Sequence, residues 1–293
     1  MKGIITKGIA GFYYVKCDGQ VYRCRARGIF KKKGIVPLVG DIGEISPDEN
    51  SDGTVEKIFP RDNWFVRPPI ANIEILAVTV SAAEPPPSTF ILDRFLVMAE
   101  KHNVNSIICI NKKDLAKGNE IEELRSVYKE IYPVICLCGL TGEGTDLLKD
   151  HFRGKRVAFA GPSGVGKSTI LNRLLKEERA EIGEISPKTG RGKQTTRHVE
   201  IFDINGCMVY DTPGFTSFNI LDADEDELSH FYPEMKEYLN KCRYDNCRHV
   251  MEPDCSVREA VELGIIKRSR YDSYVEQIKE IRRVLTTSKP NIF

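Results

Sequence analysis

The sequence predicts a multidomain α/β protein. An OB-like β-barrel over residues 1–68 is followed by a parallel-sheet domain over 69–224 and a helical metal-binding domain over 225–293. Three observations carry this reading. Short runs rich in Val, Ile, Tyr and Phe, broken by Gly, fill the first sixty positions, as expected for a small barrel. Beyond them, near-continuous apolar runs alternate with helix-like stretches, the pattern of strands covered on both faces. Past Glu225 the pattern turns helical around three cysteines and a histidine.

In order along the chain, residues 3–60 read as about five short strands, beginning in Gly3–Val15, which mixes Ile, Tyr, Phe and Val with Gly. Val21–Arg27 alternates so that Arg23, Arg25 and Arg27 share one face. Lys31-Lys32-Lys33-Gly34 reads as an exposed loop, and Val39–Ile45 and Gly53–Phe59 as two further strands. Arg67-Pro68-Pro69 marks a boundary, because proline ends regular structure and stiffens a linker. Ile73–Val80 is a strand buried on both faces, Pro85-Pro86-Pro87 a turn, Thr89–His102 a helix and Ser106–Ile110 the next strand. Helix Glu120–Ile131, strand Pro133–Cys138, helix Thr145–Phe152, strand Arg156–Ala160 and helix Lys167–Leu175 continue the alternation.

Composition sets the outer limits. The 293 residues are 41% hydrophobic and 29% charged, which excludes a largely disordered or fibrous chain. The longest apolar stretches, such as Ile75–Val80, fall far short of the ~20 residues of a membrane-spanning helix. Met1–Ile4 lacks the cationic-then-apolar pattern of a signal peptide. Nine cysteines, an odd number in a chain too long to need staples, point to a reducing, cytosolic setting. Net charge is +1, but residues 1–68 hold 12 Lys+Arg against 8 Asp+Glu, and the tail 265–293 holds 7 against 3. The basic barrel face and tail residues Lys267, Arg268 and Arg270 are therefore candidate contacts to a phosphate backbone.

Gly161-Pro162-Ser163-Gly164-Val165-Gly166-Lys167-Ser168, followed by Thr169, matches G-x-x-x-x-G-K-[ST] between a strand and a helix. Glycines let backbone N–H groups converge on phosphate oxygens, and the helix N-terminus adds a favourable dipole. Lys167 would meet the β/γ-phosphates and Ser168 a Mg²⁺ ion. Asn111-Lys112-Lys113-Asp114 follows its strand directly and fits guanine. A carboxylate at Asp114 accepts from both the ring N–H and the exocyclic amine, Asn111 can meet the other edge, and the Lys112 stem can cover the base.

Met208–Tyr210 is a strand ending in Asp211-Thr212-Pro213-Gly214, suited to Mg²⁺ at Asp211 and a γ-phosphate at the Gly214 N–H. The loop Gly190–Thr196 precedes it, where a Thr from position 195 or 196 would reach the metal. Cys242, Cys247, His249 and Cys255 form C-x₄-C-x-H-x₅-C, a donor set for a closed tetrahedral zinc site of structural type. Cys109, Cys136 and Cys138 read as core residues, and Cys17, Cys24 and Cys207 are assigned no role.

The motif order is unusual. N-K-x-D precedes the phosphate loop, with Asp114 47 positions before Gly161, so the G domain is circularly permuted. Cys138-Gly139-Leu140 falls where a second base-contacting loop would stand. With a basic barrel before and a Cys/His cluster after, the whole chain resembles the ribosome small-subunit-dependent GTPase A family. That resemblance implies a cytoplasmic GTPase acting on GTP, with GDP as product, Mg²⁺ and one structural Zn²⁺. It also implies the small (30S) ribosomal subunit and its 16S rRNA as partners late in subunit maturation, with the subunit stimulating hydrolysis, and a monomer.

Two positions depart from common GTPase patterns. Phe215 stands where many GTPases have a water-orienting Gln, and Gln194 stands where many family members have His before the paired threonines. Gln194 can orient water but cannot act as a base, and His198 reads as a surface residue. Two alternatives belong to other classes: a P-loop kinase, for which no substrate lid is apparent, and an RNA-docking protein that uses GTP only as a structural switch.

Overall fold

The computed structural model describes residues 1–48, 52–182, 199–212, 215 and 223–287. Strand β1 (Lys2–Ile9) turns through Ala10-Gly11 into β2 (Phe12–Cys17), and Asp18-Gly19 lead into β3 (Gln20–Ala26). Both turn pairs lie at positive φ, which matches the right-handed twist of a tight hairpin. The stretch Gly3–Val15 thus spans two short strands, in keeping with the about five that the pattern predicts over residues 3–60. Helix α1 (Gly28–Lys32) takes in Lys31 and Lys32 of the expected loop, because Phe30 anchors it in the barrel interior while the lysines stay exposed.

Strands β4 (Ile42–Pro47) and β5 (Asp52–Ile58) complete the barrel. The strand pairs β1–β2, β2–β3, β3–β5, β5–β4 and β4–β1 close a ring around Ile5, Val15, Cys17, Cys24, Ile45 and Val55. This is an OB-like barrel. Two of its three aligned arginines are already paired: Arg23 donates to Asp52 at 2.9 Å and Arg27 to Glu56 at 2.7 Å, while Arg25 lies 4.8 Å from the Phe12 ring centroid.

A short ribbon, β6 (Trp64–Phe65) with β7 (Ile70–Ala71), turns at the Pro68-Pro69 pair. Then come β8 (Ile75–Ser81), buried throughout, and α2 (Thr89–Lys101), whose first turn is capped by Ser88 Oγ accepting from Ile91 N. The elements β9 (Asn105–Asn111), α3 (Glu120–Tyr128), β10 (Val134–Cys136), α4 (Thr145–Phe152) and β11 (Arg156–Ala160) follow. Helix α5 (Lys167–Ile182), β12 (Glu200–Ile204) and β13 (Cys207–Asp211) come next. After 3₁₀ turns at Leu228–Phe231 and Pro233–Tyr238 come α6 (Ser256–Glu262) and α7 (Arg268–Thr287).

The chain divides into two compact units. One comprises 1–77, 138–160 and 167–216, and the other 78–137, 161–166 and 217–293. In the first, the strands run in the order β11-β13-β12-β1-β2-β3-β5-β4. Strand β1 serves both barrel and hairpin, pairing Lys7 with Glu200 of β12, and a Lys16–Asp203 ion pair at 2.6 Å reinforces the junction. In the second unit the order is β10-β9-β8, with β10 and β9 parallel.

The second unit's helical part builds its core from Val97 of α2 together with Leu228, Tyr232, Met235, Val257, Tyr274 and Ile278. Arg270 corrects the reading of a basic tail. It is wholly buried, paired with Asp93 of α2 and with Glu234, so it is no surface contact. Among the described residues, no helix is long and apolar enough to cross a membrane.

Candidate nucleotide-binding site and metal centre

Strand β11 ends at Ala160 and passes through Gly161–Gly166 into α5, which starts at Lys167. The loop depends on glycine at two close approaches. A Cβ on Gly161 (φ +135°) would lie 2.1 Å from the Thr79 carbonyl oxygen, and one on Gly166 (φ +98°) would lie 2.2 Å from Asn111 Nδ2. Val165 is buried, Pro162 half-buried, and Ser163, Gly164, Ser168 and Thr169 are exposed. Burial pulls the Lys167 ammonium down to about 8, the response of a cation partly withdrawn from water.

The N-K-x-D segment meets this loop through Asn111. Asn111 closes β9, is 2% exposed, and donates Nδ2–H to the Val165 carbonyl at 2.8 Å. Part of the amide assigned from sequence to a base edge therefore braces the phosphate loop. Lys112 takes a left-handed conformation (φ +60°) and donates from Nζ to the Glu84 carbonyl at 2.6 Å. Lys113–Leu115 form a single 3₁₀ turn that leaves Lys113 half-buried and Asp114 exposed.

Asp211, the residue read from sequence as a magnesium ligand, belongs to the first unit. Strand β13 runs parallel to β11 with Tyr210 opposite Ala158, so Asp211 ends its strand at the edge where β11 also ends. Thr212 is buried. Phe215 is 1% exposed and packs edge-to-face on Phe65 at 5.3 Å. The position where many GTPases hold a water-orienting Gln is thus a core residue here. Gly139 abuts α5, since a Cβ there would lie 2.9 Å from Ile170 Cγ1. Gln194, Thr195, Thr196, His198 and Gly214 lie outside the described residues.

Cys242, Cys247, His249 and Cys255 bring one ligand atom each to within 4.8 Å of one another. His249 Nδ1 lies 3.4 Å from both Cys242 Sγ and Cys255 Sγ, and those sulfurs are 3.8 Å apart. Ligands bound tetrahedrally to one Zn²⁺ stand roughly 3.5–3.8 Å apart, so the donor set and its spacing fit that ion. Burial lowers the His249 imidazole below its usual range and favours the neutral, ligating form.

Side chains that no motif flagged hold the cluster. Ser256 Oγ lies 3.2 Å from Cys242 Sγ. Tyr271 and Tyr274 donate to the carbonyls of His249 and Arg248. Burial pushes the Glu252 carboxyl up, but backbone N–H donors at Arg248, Val250 and Met251 outweigh it and bring it down to about 2. Among the other cysteines, burial pushes the thiols of Cys109 and Cys207 up to about 12 and that of Cys24 up to about 11, which keeps these three protonated.

Comparison with known proteins agrees with this geometry. Residues 58–221 match the RsgA GTPase model, 2–55 the RsgA N-terminal domain, and 156–292 a 50S ribosome-binding GTPase model. The small ribosomal subunit biogenesis GTPase RsgA of Alkaliphilus metalliredigens is 43% identical over 286 residues, covering 96% of this chain and 98% of its own. The Listeria monocytogenes protein small ribosomal subunit biogenesis GTPase RsgA 2 is 44% identical at 96% and 98% coverage. Among solved structures, YjeQ from Thermotoga maritima superimposes with a TM-score of 0.85 at 34% identity, covering 96% of this chain and 98% of that one. YloQ, a circularly permuted GTPase, gives 0.80 at 37% identity, covering 99% and 96%. The permuted order of motifs, the barrel before them, the Cys₃His cluster after them and these full-length matches together make the chain a member of the RsgA GTPase family.

Proposed function

We propose that this GTPase acts on the small ribosomal subunit late in its maturation, in the cytoplasm, as a monomer stimulated by that subunit. One observation carries the nucleotide part of the reading. Asn111 Nδ2 donates to the Val165 carbonyl, so the guanine-type loop and the phosphate loop brace each other although 54 residues separate them in reversed order. The relatives' names support the small subunit as partner.

In this reading Asp114 accepts from the guanine ring N–H and amine, and the loop Gly161–Thr169 holds the phosphates. Lys167 offsets charge on the β/γ-oxygens as water attacks in line. Ser168, a Thr from 195 or 196, and Asp211 hold Mg²⁺, which supplies further compensation for phosphate charge. The Gly214 N–H meets the γ-phosphate, and Gln194 orients the water. Cys242, Cys247, His249 and Cys255 hold one structural Zn²⁺. The ranges 1–68, 69–224 and 225–293 act as RNA-binding barrel, G domain and zinc domain, with 16S rRNA met by the barrel.

The test is titration with GDP, ADP and xanthosine diphosphate, followed by turnover with and without small subunits. The expected result is tight GDP and weak ADP binding, with Asp114→Asn shifting preference toward the xanthine nucleotide, whose carbonyl suits an amide donor. Tight ADP binding by the unmutated protein would overturn the base assignment. Turnover unaffected by the subunit would overturn the stimulated GTPase and favour GTP as a structural switch alone.

A further inference from the structure

The turn from Ser81 to Pro87 is a simple break between strand and helix in the sequence, yet its atoms converge on the base-reading lysine. Ser81, 1% exposed at the end of β8, donates from Oγ to the Glu84 carbonyl at 2.8 Å. The same Oγ accepts from Ala83 N–H at 3.2 Å, and Ala82 N–H donates to the Asn111 carbonyl at 2.8 Å. The Glu84 carbonyl is also the acceptor for Lys112 Nζ at 2.6 Å. Pro85 stands at the next wall, with its Cδ 3.7 Å from where a Cβ on Gly164 of the phosphate loop would sit.

One carbonyl oxygen thus receives a hydroxyl from a buried strand end and an ammonium from the N-K-x-D segment. Its two lone pairs suffice for both. Donation from Ala83 into the Ser81 hydroxyl polarises that hydroxyl and strengthens its own donation. Lys112 sits in the left-handed region, where a long side chain has no secondary structure to hold it. A flexible four-carbon stem lies flat over a base only if its far end is tied down.

We infer that Ser81 is a positioning residue for guanine nucleotide. Through the Glu84 carbonyl it fixes the Lys112 ammonium, and so the stem that covers the base. The inference rests on the reading of Asn111–Asp114 as the guanine site and adds to it a second anchor outside the motif. Because Ser81 acts only through Lys112, its effect must disappear once the ammonium is gone. A role in folding alone would persist.

The experiment is a double-mutant cycle on the full chain, with Ser81→Ala and Lys112→Met, the latter keeping a stem of similar length without the charge. GDP and ADP affinities and GDP dissociation rates are measured for the four proteins, with thermal melts alongside. Ser81→Ala is expected to weaken GDP binding about tenfold, chiefly through faster dissociation, and to leave the already weak ADP binding unchanged. In the Lys112→Met background the same substitution is expected to change nothing. Ser81→Thr, which keeps the hydroxyl, should restore GDP affinity if Ser81→Ala proves unstable. Equal losses in both backgrounds, or unchanged GDP affinity in a folded Ser81→Ala, would overturn the inference. Failure of the unmutated protein to prefer GDP over ADP would instead overturn the guanine assignment beneath it.

Discussion

Lys167 illustrates how much one side chain depends on its surroundings. Burial brings its ammonium down to about 8, whereas an unfolded lysine titrates near 10.4. With the folded pKa below the unfolded one, the nucleotide-free protein bears the cost of a half-buried cation below pH 8. That cost fades as pH rises toward 10. Phosphate beside the ammonium in the proposed complex favours its charged form, so nucleotide binding takes up a proton above pH 8. GDP affinity should therefore fall between pH 7 and pH 9, by up to about tenfold per unit above 8. Lys167→Arg should flatten that part of the profile because a guanidinium stays charged, and titrating both proteins cancels the base's own ionisation. A profile unchanged by the arginine would remove Lys167 as its source. Gly161 gives a steric counterpart. Its missing Cβ would meet the Thr79 carbonyl at 2.1 Å, so Gly161→Ala should destabilise the protein by about 3 kcal/mol in urea unfolding. The lysine's identity was legible from the motif. Its lowered pKa was not, because burial follows from packing across the chain.

At the scale of elements, α7 is held by its most buried cation. Arg270 donates to Glu234 from two nitrogens, at 2.6 and 3.1 Å, and to Asp93 on α2, with the rings of Tyr128, Tyr132 and Tyr232 around it at 5.5, 5.9 and 4.6 Å. Burial alone would pull the guanidinium down, but Asp93 and Glu234 outweigh it and keep it charged. Arg270→Met should cost roughly 3–5 kcal/mol in urea melts, because Asp93 would be left buried without its partner. Arg270→Lys should recover only part of this, since an ammonium cannot match the two-pronged contact with Glu234. Sequence reasoning placed Arg270 on a basic surface; its charge was legible, but its acidic partners stand 36 and 177 positions earlier. The Cys/His cluster was legible in full, because its four ligands lie within fourteen positions, Cys242–Cys255. Its support was less so. Ser256→Ala should weaken zinc binding about tenfold in competition with a chelator, because the hydroxyl that lies beside Cys242 Sγ also donates to the Tyr238 carbonyl at 2.7 Å and so ties the chain on either side of Cys242 together.

At the scale of the whole molecule, the proposed contact with ribosomal RNA is a matter of unpaired charge. Arg23 and Arg27 already meet Asp52 and Glu56, so the lysines exposed at the end of α1 and beyond it, with Arg25, should dominate. Replacing Lys31, Lys32 and Lys33 by Gln should weaken cosedimentation with small subunits and lower the log–log salt slope by about 2. Arg23→Gln should change that slope least. Equal slopes for the two variants would place the contact elsewhere. If GTP favours the subunit-binding state, linkage requires the subunit to favour GTP, so binding should be tighter with a non-hydrolysable GTP analogue than with GDP. Equal cosedimentation in the two nucleotide states would remove that coupling.

The sequence by itself determined the fold class, the reversed motif order and the residue types that stand at the candidate sites. These are local properties: alternation sets strands, glycine spacing sets the phosphate loop, and short Cys/His spacing sets a tetrahedral donor set. Element ends differ from the pattern, as in α3, which stops at Tyr128 rather than Ile131, and α5, which runs on to Ile182. Only the tertiary structure decided which charges are available. It turned Phe215 into the core against Phe65, buried Arg270, paired Arg23 and Arg27, and brought the Glu84 carbonyl to Lys112. Each of these joins residues far apart in the chain, and a one-dimensional pattern holds no record of such contacts until burial and hydrogen bonding bring the partners together.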